Sequence, residues 1–441
     1  MANYDTDYDL AILGGGMSSR LAACTAAQKG ARVALIAPTW QINDAIRLTL
    51  QALCSGNLTT ELRVSWASLR DWVHYQCEHP VLSPAVLGSQ GIDVILESAN
   101  FEPELRLRLK NRYLKASRYL LTDGYGLPKS MAGLLPHQLI QLETIPHRIA
   151  VIGSGAAALE WAYALSRHSM VTLVLLEQSV LPLADRDIQR LVEAQLRCLG
   201  IEIVFSSHGS AMGANQLEIS KIDVDLQLVV SPSYDWKTLA LENVGIALAE
   251  SSIPVNRYLQ TCCPQLYVSG GSLGGENRTE LTQQETTIAL KNVLFGRRHV
   301  MHYEQAFYSI GLLSSIGCWG VTEHQAGVCY GHGVRIFQAS CLPETAENVA
   351  QTNFCKLITL GQRIVGVHLV GKDASTLIVA FANRPCLQTL DQWITTSFKP
   401  GTLQDAVYQA VEQWQCSRWR EGQWRRDWAE NWFNFRRSMS M

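Results

Sequence analysis

Two rhythms of apolar residues alternate along this chain. Short runs without polar interruption, Leu10-Ala11-Ile12-Leu13, Val33-Ala34-Leu35-Ile36, Ile149-Ala150-Val151-Ile152 and Val171 to Leu176, have the length of strands buried on both faces. Between them lie longer stretches with helical spacing, one reaching Lys29-Gly30 and one reaching Ser166. Strand, helix and strand in succession up to Phe205 predict parallel sheets, because parallel neighbours need a crossover to connect them. From Val334 onward the runs shorten and alternate, which predicts an antiparallel sheet.

Both strand-to-helix junctions carry glycine. The first reads Gly14-Gly15-Gly16-Met17-Ser18-Ser19 and the second Gly153-Ser154-Gly155-Ala156-Ala157-Ala158. Glycine lets the backbone turn tightly and lets a pyrophosphate approach the helix N-terminus, whose unpaired N–H groups and dipole favour an anion. Candidate contacts are Gly14, Gly16 and Ser19 in the first unit, and Gly153, Gly155 and Ala158 in the second. One such turn is weak evidence. Two, each between a strand and a helix, point to a fold built for two dinucleotides.

Composition agrees and excludes other classes. A chain of 441 residues, 47% hydrophobic, can bury several cores, and its net charge of −2 gives no electrostatic case for nucleic acid. The first strand starts by Tyr8, which leaves no room for a signal peptide, and no uncharged apolar run reaches membrane-spanning length. Twelve scattered cysteines without a CxxC or Cys/His cluster fit free thiols in a reducing cytoplasm, with no metal site.

The order of these features resembles the class I pyridine nucleotide-disulfide oxidoreductases, a family that includes glutathione reductase, lipoamide dehydrogenase and mercuric reductase. Leu241-Glu242-Asn243-Val244-Gly245 resembles its "LGLENAG" segment, and Pro264 to Gly270 the strand that returns to the flavin. Gly91 to Ile95 with Phe101 looks like its small sheet edge; Val321-Thr322-Glu323, Phe354 to Leu357 and Ile364 to Gly371 look like its interface domain. The resemblance implies an α/β fold with two Rossmann-like FAD/NAD(P)-binding domains and a C-terminal α+β dimerisation domain. Residues 1–147 and 248–300 would be the FAD-type domain, 148–247 the NAD(P)-type domain, 301–412 the dimerisation domain and 413–441 a separate tail. It further implies a homodimer, with Gly124, Gly270 and Gly271 near FAD and Glu160 near the flavin face.

Against that pattern the chemistry is missing. The family's redox disulfide joins two cysteines of a "GGTCxNxGCxP" segment, whereas this chain has Pro38-Thr39-Trp40-Gln41-Ile42-Asn43-Asp44-Ala45-Ile46, and Cys54 has no partner at the required spacing. Exchange needs an attacking and a resolving sulfur, so the family's disulfide reduction is excluded. The family's catalytic histidine is replaced by Lys399, followed by Asp405 at a longer spacing. A lysine with a pKa of about 10.4 does not shuttle protons at neutral pH without strong desolvation.

The cofactor anchors are altered as well. The second strand ends Leu35-Ile36-Ala37-Pro38 without the acid that bonds the adenosine ribose, the family's "GD" pair is Gly270-Gly271, and its "ATG" turn is Thr122-Asp123-Gly124. Two lost charged hydrogen bonds, each worth ~1.5–3 kcal/mol, would turn nanomolar FAD binding into micromolar or weaker, since ~1.4 kcal/mol is tenfold. In the second unit the strand-end position is Leu175, and Glu177, two residues on, is the candidate for a ribose hydroxyl, its alternative being an exposed loop acid. No arginine follows that would select NADP.

The tail departs from the family altogether. Trp424, Trp428 and Trp432 recur every four residues among Arg418, Arg420, Arg425, Arg426, Arg436 and Arg437, a helical stripe suited to a protein partner or second copy, or to the headgroup zone of an anionic membrane. Two functions fit the whole. One is hydride transfer from NAD(P)H through a weakly held flavin to an acceptor that is not a disulfide; the other is an inactive homodimeric pseudoenzyme serving as a scaffold or regulatory binding protein.

Overall fold

The computed structural model describes residues 6–55, 65–78, 80, 82–123, 133–205, 223–230, 236–247, 252–273, 278–343, 351–361, 363–382, 399–421 and 423–439. They fall into two compact units, one of residues 1–182 with 196–302 and the other of 183–195 with 303–441.

The first unit holds two sheets. Strands β1 (Tyr8–Leu13), β2 (Val33–Ile36) and β3 (Ile92–Ile95) run parallel, and β6 (Tyr113–Leu121) joins β1 on its other side. The short β4 (Asn100–Glu102) and β5 (Arg106–Arg108) fold antiparallel onto the start of β6, and a strand from far along the chain, Leu266–Val268, pairs parallel with the end of β6. Leu10 to Leu13 and Val33 to Ile36 are buried throughout, as expected where both faces of a parallel sheet are covered. The helix Met17–Gln28 follows β1; its buried Ala22, Ala23 and Ala26 keep it close to the sheet.

The second sheet is formed by β7 (Arg148–Gly153), β8 (Met170–Leu175), β9 (Glu202–Phe205) and β10 (Leu226–Val229), all parallel, in the order β10-β7-β8-β9. The helix Gly155–Leu165 rises from β7 and buries nine of its residues. Both glycine turns therefore sit at the carboxyl ends of central parallel strands, where helix N-termini and strand ends leave a crevice.

The second unit is an antiparallel five-stranded sheet, Phe307–Ile310, Ile316–Gly320, Arg363–Val370, Asn353–Leu360 and Val334–Cys341 in spatial order. The helices Ala374–Ala382 and Leu403–Glu421 cover it, with Val407, Val411 and Trp414 in its core. A last helix, Gln423–Met439, carries the tail stripe: Trp428 and Trp432 stack with ring centroids 6.0 Å apart, and Trp428, Trp432, Phe435 and Met439 are exposed. The side chain of Trp424 lies outside the described residues. Among the described residues no helix is long and apolar enough to cross a membrane.

Candidate functional site

The first glycine turn is assembled from three loops of one sheet edge. Gly14 and Gly16 come from the end of β1, Thr122 and Asp123 from the end of β6, and Gly270 from the turn after Leu266–Val268. The register that pairs Leu13 with Leu121, and Leu121 with Val268, brings the three ends together. Ser19 Oγ lies 2.5 Å from Thr122 Oγ1 and 3.3 Å from the Asp123 carbonyl, and the Gly16 N–H donates to that carbonyl at 3.4 Å. Gly270 has φ +72, the left-handed region open to glycine, and its N–H donates to buried Glu285 Oε2 at 2.8 Å. Gly271 continues the same turn, Gly270–Leu273, while Gly124 lies outside the described residues.

The space beside these glycines is filled by protein. A Cβ on Gly16 would stand 1.9 Å from Asp123 Oδ2, and one on Gly14 2.1 Å from Thr122 Oγ1. The Asp123 carboxylate accepts a hydrogen bond from the Ser18 hydroxyl. Burial pushes its pKa above the usual carboxylate range, opposed by the hydrogen bonds from Ser18 and Ser19 and by the charge of Arg20. This does not fit FAD: the cradle where a pyrophosphate would rest holds an acid side chain, and the ribose and "GD" carboxylates are both missing.

Arg20 and Asp44 were not among the sequence candidates, yet they form the strongest charge contact here. Arg20 is 1% exposed, donates to both Asp44 oxygens at 3.0 Å, donates from Nε to the Gly15 carbonyl at 3.0 Å, and lies 3.6 Å from the centroid of the Trp40 ring. Asp44 lies in the segment Trp40–Ser55 where the resembling family carries its cysteines. Cys54, at the far end of that helix, has its thiol pushed up to about 11 by burial and by the charge of Glu160, with Arg167 opposing. Such a thiol is not a nucleophile at neutral pH. Among the described residues no cysteine is joined in a disulfide.

Gly153 ends β7, the second turn's strand, Gly155 opens the following helix at φ +62, and Ala158 is fully buried, so a small residue is required there. Glu160 is on this helix beside Cys54. Glu177 lies two residues past β8 and is partly buried, unlike the exposed loop acid that was its alternative.

In the second unit the ammonium of Lys356 is clamped by Asp185 Oδ1 at 2.7 Å, Asp187 Oδ2 at 2.6 Å and Glu323 Oε2 at 2.6 Å. Burial lowers its pKa, but the three carboxylates outweigh that and hold it above the ordinary lysine range. The acids form a cation-sized cluster that the protein's own lysine fills, a structural role. Lys399 is exposed, and Asp405 Oδ2 accepts the Gly401 N–H at 3.0 Å, so this carboxylate ties a turn.

The chain thus joins two parallel sheets, each with a glycine turn at a strand end, to an antiparallel sheet. The chain belongs to the pyridine nucleotide-disulphide oxidoreductase family, whose model matches residues 8–289. It is 27% identical over 417 residues to dihydrolipoyl dehydrogenase of Bacillus subtilis, covering 84% of this chain and 90% of that one. It is 24% identical to glutathione reductase of a Nostoc species, covering 91% and 99%. Among solved structures it superposes on the Cu(II) complex of the HOCl-induced flavoprotein disulfide reductase RclA of Escherichia coli with TM-score 0.71, at 19% identity over 90% of this chain and 98% of that one.

Proposed function

We propose that this chain has left thiol–disulfide chemistry and serves as a homodimeric binding or regulatory protein on the family's framework, with a nicotinamide dinucleotide as the ligand of its second glycine turn. One observation carries the reading: where the family's redox segment is aligned, the described side chains form a closed Arg20–Asp44 ion pair bedded on Trp40, and no sulfur pair is present. Neither member of that pair can form or open a disulfide. The loss of the histidine at Lys399 is consistent with it. The domain boundaries at 147/148, 247/248 and 300/301, the cytoplasmic placement and the docking role of the Trp428 and Trp432 stripe remain parts of this proposal.

The second reading, hydride transfer from NAD(P)H through a flavin to another acceptor, requires FAD at the first turn. The Asp123 carboxylate against Gly16 disfavours it as the chain stands. The test is turnover by the purified protein, with added FAD, of NADH or NADPH against glutathione disulfide, lipoamide and mercuric ion. We expect none above the buffer rate; sustained oxidation linked to any of the three overturns the proposal.

A further inference from the structure

We infer that Asp123 is an internal occupant of the first phosphate cradle, a carboxylate that keeps the pyrophosphate of a dinucleotide off the first glycine turn. The inference deepens one part of the reading above, that FAD is disfavoured at the first turn, and does not depend on the loss of disulfide chemistry.

The geometry is specific. Gly16 is the N-cap position of the helix Met17–Gln28, so it has no side chain of its own to offer the helix end. The Asp123 carboxylate lies against it, so close that a Cβ on residue 16 would overlap Oδ2. Ser18, in the first turn of the helix, donates its hydroxyl to Oδ1, and Ser19 bonds the Thr122 hydroxyl and the Asp123 carbonyl, holding the residue from both ends. A carboxylate here has the same attraction to the helix N-terminus that a phosphate would have. It is intramolecular, so it needs no free ligand to occupy the place.

The surrounding charges disfavour exchange for a phosphate. On the same helix, Arg20 is the nearest cation, but its guanidinium is bound to Asp44 of the neighbouring helix, which also contacts Arg47 at 3.7 Å. From the Gly270 side comes a second acid, Glu285 of the helix Thr279–Phe295, bonded to the Gly270 N–H. The residues from the strand ends, Leu13, Leu121 and Thr122, are uncharged. Buried Arg278 caps the helix that carries Glu285, one turn before the Thr282 that faces Gly270. A pyrophosphate would therefore meet two acids, with Arg20 already bound to Asp44. Protonating Asp123 removes the anion, so entry of a phosphate should improve as pH falls, and neutralising Asp123 by substitution should open the cradle permanently.

The experiment titrates full-length protein with FAD, following flavin fluorescence, at about pH 8 and about pH 5.5. ADP, which carries the pyrophosphate without the flavin, and riboflavin, which carries neither phosphate, separate cradle binding from ring stacking. Expected is weak FAD and ADP binding by the unaltered chain at the higher pH, a gain at the lower one, and for Asp123→Asn a gain of about tenfold or more at both, with riboflavin unaffected. Ser18→Ala, which removes one restraint on the carboxylate, should gain less than Asp123→Asn, and it replaces that variant if near-ultraviolet circular dichroism shows Asp123→Asn misfolded. The inference is overturned if the unaltered protein binds FAD at the higher pH as tightly as a folded Asp123→Asn does, or if neither folded variant gains. Such a result leaves the loss of disulfide chemistry standing, while turnover of glutathione disulfide would sink that reading and not this one.

Discussion

The two glycine turns share a strand-to-helix plan but set their glycines differently. At the first, Gly16 caps the helix in extended backbone and is met by Asp123, and the nearest arginine is bound to Asp44; at the second, Gly155 opens the helix at φ +62 and Ala158 is buried within it. The difference teaches that a glycine turn is permission for a phosphate, not a commitment to one. What decides is whether the space vacated by the missing Cβ atoms is left empty or is used by the protein itself.

The largest effect should come from breaking the first turn's charge pair. Arg20→Ala leaves buried Asp44 to the longer contact with half-exposed Arg47 at 3.7 Å, which should cost about 3 kcal/mol in urea unfolding. The double change Arg20→Met with Asp44→Leu should recover most of that, because no unpaired charge remains. If the single change costs less than about 1 kcal/mol, the pair is not the organising contact described here.

Changes to the glycines come next, and they should separate the turns. Gly14→Ala drives a methyl into Thr122, Ser19 and Asp123, an overpacking worth about 1–3 kcal/mol, without altering NADH binding. Gly155→Ala forces an alanine to φ +62, at about 1–2 kcal/mol, and should weaken NADH binding as well. Equal effects of both on NADH would show that the nucleotide is not held at the second turn.

A smaller, pH-dependent effect follows from Asp123. Its pKa is raised on folding, so its contribution to stability is present below the unfolded carboxylate value, about 3.9, and is lost as pH rises through the folded value. Asparagine has no proton to lose. The melting temperature of Asp123→Asn relative to the unaltered protein should therefore climb as pH rises above about 4; a difference that stays flat or falls contradicts the burial argument. The smallest effect is expected from deleting residues after Cys416: Trp414 anchors the core and stays, so stability should shift by less than about 0.5 kcal/mol.

Much of this was legible in the residues. The apolar runs from Leu10 and Ile149, each followed by glycine, gave the parallel sheets, and the runs from Val334 the antiparallel one, because burial on one or two faces writes a period into the sequence. The missing cysteines and anchors were legible for the same reason that motifs are: their spacing is local. The occupant of the cradle was not. Thr122-Asp123-Gly124 was read as an altered turn, but that Asp123 meets Gly16 depends on strands β1 and β6 being neighbours across more than a hundred residues. Arg20 with Asp44, Gly270 with Glu285, and Lys356 with Asp185 are likewise brought together by topology, which a linear pattern does not carry. The available signal was compositional: an arginine inside an alanine-rich helix and an acid in a glycine-facing turn each need a partner.

The contrast between the turns can be measured on one preparation by titrating it at neutral pH with NADH and, separately, with FAD, and counting the ligand bound at saturation. The account predicts NADH bound, more weakly after Gly155→Ala, and no FAD retained through dialysis. Stoichiometric FAD held after dialysis by the unaltered chain would contradict it.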